Sequence, residues 1–540
     1  MRSRMFTAPS TLPDDPPTLQ LILRAALTEI ERLQLLLAGL RRNRFGRRSE
    51  QLDDDTLQQG IEDLEQSVAE QQAGLDAAAA AAETSKSEPD ATPVSPRAKP
   101  AKRNRGALPA HLPRIELIVD VEDKACPCCG GAMHVIGEDR AEMLDYVPAQ
   151  LRVKVIRRPR HGCRACEGAV VQAPAPERPI DGGMATEALL AHVLINKYCD
   201  HLPLYRQAQI FARAGVTLDR STLCNWVGRA CWWLTPLHEL MMTTVLASPK
   251  IFADDTVLPV LDPGRGKTKT GRLWCYAVDN RPWQGPGHPA AVYMYSADRK
   301  GDHPEEHLKG YGGLLQVDGY AGFNGLVADP AGDAPQLAFC WAHTRRKFHD
   351  IFAATKHAPG HLTRGAPLAE EALRRIAALY AVEIDLQGQP AEDRQRVRQQ
   401  QSRPLVEAMH AWLNETLGRI SGRSALAQAI RYALNHWEGL ILFLDDGRLE
   451  LDTNTVERAI RPVTLCRKNA LFAGADSGGR HWAIVMTLIQ TAKLNGVEPL
   501  AWLTDVLERI VSGRTKRHEL DTLLPWNWKP AKEVEPAGTG

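Results

Sequence analysis

Three acidic residues could do chemistry together: Asp254 in IFADDTVLPVL, Asp318 in LLQVDGY and Glu457 in LDTNTVERAIR. The first two follow strand-like apolar runs, and the third lies in a helix-like pattern far downstream. Gathered carboxylates repel one another and resist losing their water unless a cation neutralises them. Two strand ends and a helix can hold two magnesium ions over a phosphodiester, which points to an enzyme that cuts nucleic acid. The flanking Asp255 is the rival for the first position. In a continuing strand its side chain points to the other face.

A second set of residues points to zinc. The segments CPCCGG and CRAC present Cys126, Cys129, Cys163 and Cys166 as two knuckles for one structural, tetrahedral Zn2+, with Cys128 as the spare. The other six cysteines (199, 224, 231, 275, 340 and 466) read as small core residues. This usage fits a reducing compartment better than a disulfide framework.

The elements that must position these groups follow from the apolar periodicity. After residue 250 come a strand with Asp254, then LWCYAVD and AVYMYS, a short helix in PEEHLKGY, then LLQVD and LAFCWAH. Three strands, a helix and two further strands are the order of an RNase H-like core. The wide gap before Glu457 is read as a helical insertion at about 358–447 within a catalytic domain at 246–500. The expected fold class is thus multidomain, α+β and α/β. A coiled-coil helix with a basic cluster (18–50), a linker (51–105), a zinc-finger module (106–178) and a helical segment (180–245) precede the core, and a C-terminal segment (501–540) follows it.

Leu19, Leu23, Ala26, Ile30, Leu33, Leu37 and Leu40 form a heptad seam suited to self-association, or to docking on the protein's own body. Net charge is only +1, so basic residues act as local patches, not as a whole-protein field. Arg44, Arg47 and Arg48 close the heptad helix and can grip phosphates. Lys154 lies in the alternating, basic LRVKVIRRPRHGC. Leu204–Gly215 followed by VTLDRSTLCNWVGRACWWL resembles a helix-turn-helix, with Leu223, Trp226 and Val227 inward and Thr222, Asn225 and Arg229 available to a groove. Ordinary helical packing gives the same pattern. Lys267, Lys269 and Arg272 sit on a glycine-rich hairpin. Arg345, Arg346 and Lys347 start a helix after the last strand, beside His343, which reads either as a contact to DNA or metal-bound water or as a structural residue. Arg458, Arg461 and Lys468 share the helix of Glu457, where Glu457 and Arg461 are spaced to pair. No apolar run approaches the roughly 20 residues of a membrane span. No signal peptide is expected, and the chain is expected in the cytoplasm.

Taken together, the heptad followed by FGRRSE, CPCCGG…CRAC, ADDTVLPVLDPGRGKTKTGRLWCYAVD, LQVDGYAGFNGL, CWAHTRRKF and DTNTVERAIRPVTLCRKNALFAGADSGG resemble the DDE transposases of the insertion sequence 66 family. These stretches run in the family's order over residues 19–500. The resemblance implies transposition chemistry, magnesium (or manganese) dependence, an N-terminal zipper and a zinc-finger region. It favours Asp254 over Asp255 as the first catalytic acid, bridging two ions, with Asp318 and Glu457 each completing one site. Implied partners are transposon-end and target DNA, at least one further copy of the chain, and accessory proteins of the same element. The chain has Asp254-Asp255-Thr256 where the family usually has Asp-Glu-Thr, and Asp452-Thr453-Asn454 where it has Asp-Asn-Asn. Two other readings compete: a zinc-containing DNA binder with an inert core, and a nuclease without end specificity.

Overall fold

A computed structural model describes residues 151–162, 170–172, 174–262, 267–328, 334–356 and 366–530. The heptad helix, Arg44, Arg47, Arg48, the linker and the four zinc-ligand candidates Cys126, Cys129, Cys163 and Cys166 lie outside the described residues. The chain divides into two units, residues 85–173 and the remainder. In the first, β1 (Arg160–Gly162) pairs antiparallel with β2 (Val170–Gln172), and Gln172 Nε2 donates to the Arg158 carbonyl at 2.9 Å. Lys154 is exposed there.

The second unit is built on a five-stranded mixed sheet in the order β5-β4-β3-β6-β7. Its strands are β3 (Lys250–Asp262), β4 (Lys267–Val278), β5 (Ala290–Ser296), β6 (Leu314–Val317) and β7 (Gln336–Phe339). β3, β4 and β5 form an antiparallel meander; β6 and β7 add parallel to β3. A short helix, α4 (Asp302–His307), lies on the path from β5 to the opposite side of β3. β3 is central and buried on both faces over most of its length, which explains its near-continuous apolar run.

Helices α1 (Glu187–Tyr198), α2 (Leu204–Arg213) and α3 (Arg220–Leu246) share one hydrophobic core with the sheet. So do α11 (Asn454–Ala470), α12 (Asp476–Leu494) and α13 (Pro499–Val511). Leu223, Trp226 and Val227 face that core as the periodicity predicts, and Gly215 between α2 and α3 takes φ +83°. Edge strand β5 is closed by α12. Thr487 and Thr491, one helical turn apart, accept from the backbone N–H groups of Tyr293 and Ala291 at 2.8 and 3.2 Å. Donors that an open edge would offer to another chain are thereby satisfied.

Beyond β7, α5 (Trp341–Lys356) leads into a helical unit: α6 (Ala366–Ile384), α7 (Ala391–Val397), a π-helical turn (Arg398–Ser402), α8 (Arg403–Arg419), α9 (Ala425–Asn435) and α10 (Trp437–Ile441). A second core joins these helices to α5 and the outer strands through Trp341, Phe348, Ile376, Leu413, Ile430 and Phe443. α10 packs so tightly on β7 that a Cβ at Gly439 would lie 2.3 Å from the Phe339 ring. The chain enters and leaves this unit at one neck, where the Trp341 N–H donates to the Leu451 carbonyl at 2.9 Å.

Candidate active site

Strand register brings the first two carboxylates together. The last paired residues of β3 and β6 are Ala253 and Val317, so Asp254 and Asp318 are the next positions on adjacent parallel strands, about 5 Å apart in backbone. The turn after β6 fixes Asp318. Tyr320 N–H donates to Asp318 Oδ1 at 2.8 Å, and the Tyr432 hydroxyl, from α9, donates to its carbonyl at 3.0 Å. Gly319 between them takes φ +97°, and a Cβ there would stand 3.0 Å from the Tyr432 hydroxyl oxygen; both facts require glycine.

The third carboxylate arrives by a different route. Lys250, Phe252 and Asp254 alternate onto one face of β3, and Gln316 is registered with Phe252 on β6. The segment Arg448–Thr453 is tied to this face at successive points. Lys250 Nζ donates to the Arg448 carbonyl at 2.6 Å. Gln316 Nε2 donates to the Glu450 and Asp452 carbonyls at 2.6 and 3.1 Å, and Gln316 Oε1 accepts from Glu450 N–H at 3.3 Å. α11 starts where this segment ends, with Glu457 in its first turn and Thr453 Oγ1 donating to Glu457 Oε1 at 2.8 Å. Asn454 holds Asp452 through its backbone N–H and its side-chain amide, at 3.2 and 2.9 Å.

The electrostatics show how closely these acids gather. Burial, then repulsion from Asp318, Asp255 and Glu457, raises Asp254 well above the usual carboxylate range, and His343 opposes this only weakly. Burial also raises Asp452 to about 7, with Glu457 and Glu450 adding to it. Asp255 lies in different surroundings. Arg272 Nη1 stands 3.1 Å and Arg299 Nε 2.9 Å from its oxygens, and burial raises it despite both cations. The Arg299 guanidinium also covers the Tyr320 ring at 3.9 Å.

Cys340 and His343 complete the wall. Cys340 is buried between β7 and α5; its sulfur, a His343 ring nitrogen and a Glu457 oxygen lie within 4.8 Å of one another. Burial lowers the His343 imidazole, but Cys340, Glu457 and Asp318 outweigh it and lift His343 to about 10.

The remaining candidates are spread over the surface. Asn225 and Arg229 are exposed on α3, Lys267 on the β3–β4 hairpin, and Arg458, Arg461 and Lys468 on α11; Arg345 and Arg346 are half-buried on α5. Lys269 pairs with Asp476 at 2.8 Å, and Arg272 turns inward to Asp255. Cys231, Cys275, Cys340 and Cys466 are buried as expected and Cys199 partly so, but Cys224 is exposed, because it falls on the outer face of α3. Gln316 and Arg299 carry no reading in the sequence, and Cys340 reads there only as a small core residue. A lone amide inside LLQVD was a readable signal for the first, and the C-x-x-H spacing for the last.

Comparison with known proteins identifies the family of the chain. The model of the Transposase IS66 family matches residues 182–481. Models for the zinc-finger binding domain of transposase IS66, the IS66 C-terminal element and the Transposase C of IS166 homeodomain match residues 123–167, 487–526 and 32–117. The zinc-finger match contains all four cysteines of the two knuckles. Among curated proteins of Sinorhizobium fredii (strain NBRC 101917 / NGR234), uncharacterized protein y4jD is 50% identical over 446 residues, 82% of this chain and 86% of its own length. Uncharacterized protein y4qI is 40% identical over 520 residues, 95% and 92% of the two chains. Uncharacterized protein y4hP is 38% identical over 506 residues, 92% and 89%.

Proposed function

The chain belongs to the IS66 family of transposases, and from that premise we propose that it cuts the ends of its own mobile element and joins the freed 3′-hydroxyls to target DNA, using Asp254, Asp318 and Glu457. The order of strands and helices, with an acid within the first strand of the sheet, one just after the fourth and one on a late helix, supports an RNase H-like core.

One observation carries the reading: Asp254 is held among Asp318, Glu457 and Asp255, and their repulsion adds to its burial. Such a donor set, all oxygen and all of one sign, fits hard divalent cations such as Mg2+ or Mn2+. Asp254 would be shared between two ions, with Asp318 and Glu457 each completing one site. When bound, the ions supply the positive charge that offsets charge building up on the phosphorus centre. The chain's own groups do the positioning. Gln316 and Thr453 orient Glu457, Gly319 and Tyr320 orient Asp318, and Asp255 stays with its two arginines. Arg299, partly exposed beside them, is placed to meet a phosphate.

The recognition surfaces follow from charge and placement. Arg44, Arg47, Arg48, Lys154, Asn225 and Arg229 would bind end DNA with the zinc module, held by one Zn2+ on Cys126, Cys129, Cys163 and Cys166. Lys267, Arg345, Arg346, Arg458, Arg461 and Lys468 would track the strand near the centre. Two ends must meet, so at least two copies assemble, with the heptad helix joining them and accessory proteins of the same element taking part. No helix among the described residues is long and apolar enough to cross a membrane. The working place is the bacterial cytoplasm, at the nucleoid.

The test is cleavage and strand transfer on cognate ends in Mg2+, against scrambled ends. Asp254→Ala, Asp318→Ala and Glu457→Ala should each abolish both steps. Unchanged cleavage in these variants overturns the assignment, and equal cutting of scrambled ends reduces the protein to a nuclease without end specificity.

A further inference from the structure

The wall of the centre offers a second set of donors that differs in kind. Cys340, His343 and Glu457 present one sulfur, one nitrogen and one oxygen, all within 4.8 Å of one another. His343 lies three residues after Cys340, in the first turn of α5, so both reach the same side of that helix. His343 Nδ1 is buried and has no hydrogen-bond partner among the described residues. Buried polar atoms left unpaired are costly, and this imidazole, one of whose ring nitrogens lies beside a thiol and a carboxylate, can gain from an external partner.

The donor chemistry selects that partner. Thiolate and imidazole suit zinc, whereas magnesium keeps to oxygen in an octahedral shell. Ligand atoms around tetrahedral zinc stand roughly 3.3–3.8 Å apart, so side-chain shifts of about 1 Å would close this trio on an ion. Thr453 Oγ1, already bound to Glu457 Oε1, would orient the carboxylate as an outer partner.

We propose that Cys340, His343 and Glu457 form a Zn2+ site that withdraws Glu457 from the magnesium pair and silences the centre. Binding releases one proton from the Cys340 thiol and one from the His343 imidazolium, and leaves the fourth position to water. One glutamate thus serves a hard cation and a borderline one in turn, and free zinc becomes an inhibitor distinct from the zinc of the finger module. The existence of the site is independent of the transposase reading; the silencing rests on it.

The experiment uses the full-length chain, with Cys340→Ser and His343→Gln as separate variants on different donors. After equilibration with Zn2+ and desalting, metal analysis should find one equivalent more in the wild type than in each variant. Co2+ in place of Zn2+ should show a thiolate charge-transfer band reduced in Cys340→Ser. In Mg2+-supported cleavage, micromolar Zn2+ should slow the wild type by about tenfold or more and Cys340→Ser by less than about twofold. Equal zinc content in wild type and both variants overturns the site. An extra wild-type equivalent with equal inhibition of both proteins overturns the silencing. An extra equivalent in a protein that never cleaves DNA in Mg2+ upholds the site while sinking the transposase reading.

Discussion

Strand β3 carries two charged groups four residues apart, Lys250 fully buried and Asp254 half-buried, and they belong to opposite kinds of site. At its start, Lys250 is fully buried and part of an ion network beneath the helical unit. Arg394 meets both oxygens of Glu450 at 3.0 Å; Arg398 meets both oxygens of Glu383 at 2.7 and 2.6 Å. Lys250 stands 4.0 Å from Glu450 and is pulled down to about 8 by burial. Carbonyls of Phe443, Asp446, Arg448 and Leu449 take further donors, and among the described residues Arg394 Nε alone of the Arg394 nitrogens is left without a partner. Cations and carboxylates there satisfy one another. At Asp254 the neighbours are carboxylates, and the balance is left to something from outside. Buried charge that is internally paired holds architecture; crowded carboxylates give up stability, on the proposed reading for chemistry.

The sharpest way to break this contrast is to neutralise each site. Asp254→Asn should cost about 10³-fold or more in cleavage yet raise the melting temperature of the metal-free chain, because it removes repulsion. Arg394→Met and Arg398→Met should instead each lose about 3 kcal/mol of stability by stranding a half-buried glutamate. Denaturant titration alongside cleavage checks both; a destabilised Asp254→Asn would erase the distinction.

Gln316 belongs to both worlds, since it ties the network's segment to the strand of Asp318. Gln316→Leu should leave secondary structure intact but slow cleavage by about 10- to 100-fold and raise the Mg2+ concentration needed, as Glu457 loses its phase. A metal titration separates this from general destabilisation. A smaller effect concerns pH. The His307 imidazole, bonded to the Tyr276 hydroxyl at 2.9 Å, is lowered to about 4 by burial and by His303. The unfolded chain binds that proton first, so stability should fall as pH drops from about 6.5 towards 4. His307→Gln should flatten the slope of melting temperature against pH in that window. The smallest effect is expected at the surface, where Arg229→Ala should lower the salt dependence of end-DNA binding by about one unit of slope and leave the chemistry alone.

Much of the centre was legible in the sequence. Asp318 follows an apolar run that folds as a strand, Asp254 lies inside a strand that continues to Asp262, the expected helix falls between them, and the residues of the expected insertion fold as a helical unit. What stayed hidden depends on contacts between distant segments. Nothing near Lys250 announces Glu450, and nothing in α12 announces that Thr487 and Thr491 close β5. Cys340 looked like a small core residue, and it is buried; its second role exists only because α11 delivers Glu457 beside it. Asn225 and Arg229 lie on the exposed side of α3, where periodicity reports exposure but not what touches it.

The neck at Trp341 and Leu451 has a consequence for the birth of the protein. Roughly 140 residues separate Asp318 from Glu457, and closing so long a loop comes late relative to pairing neighbouring strands. A ribosome that has finished β7 still has the whole helical unit to synthesise before α11 exists. Translation stopped anywhere inside that unit yields a polypeptide with β3 to β7 encoded and Glu457 missing, so on the proposed reading no such fragment can cut DNA.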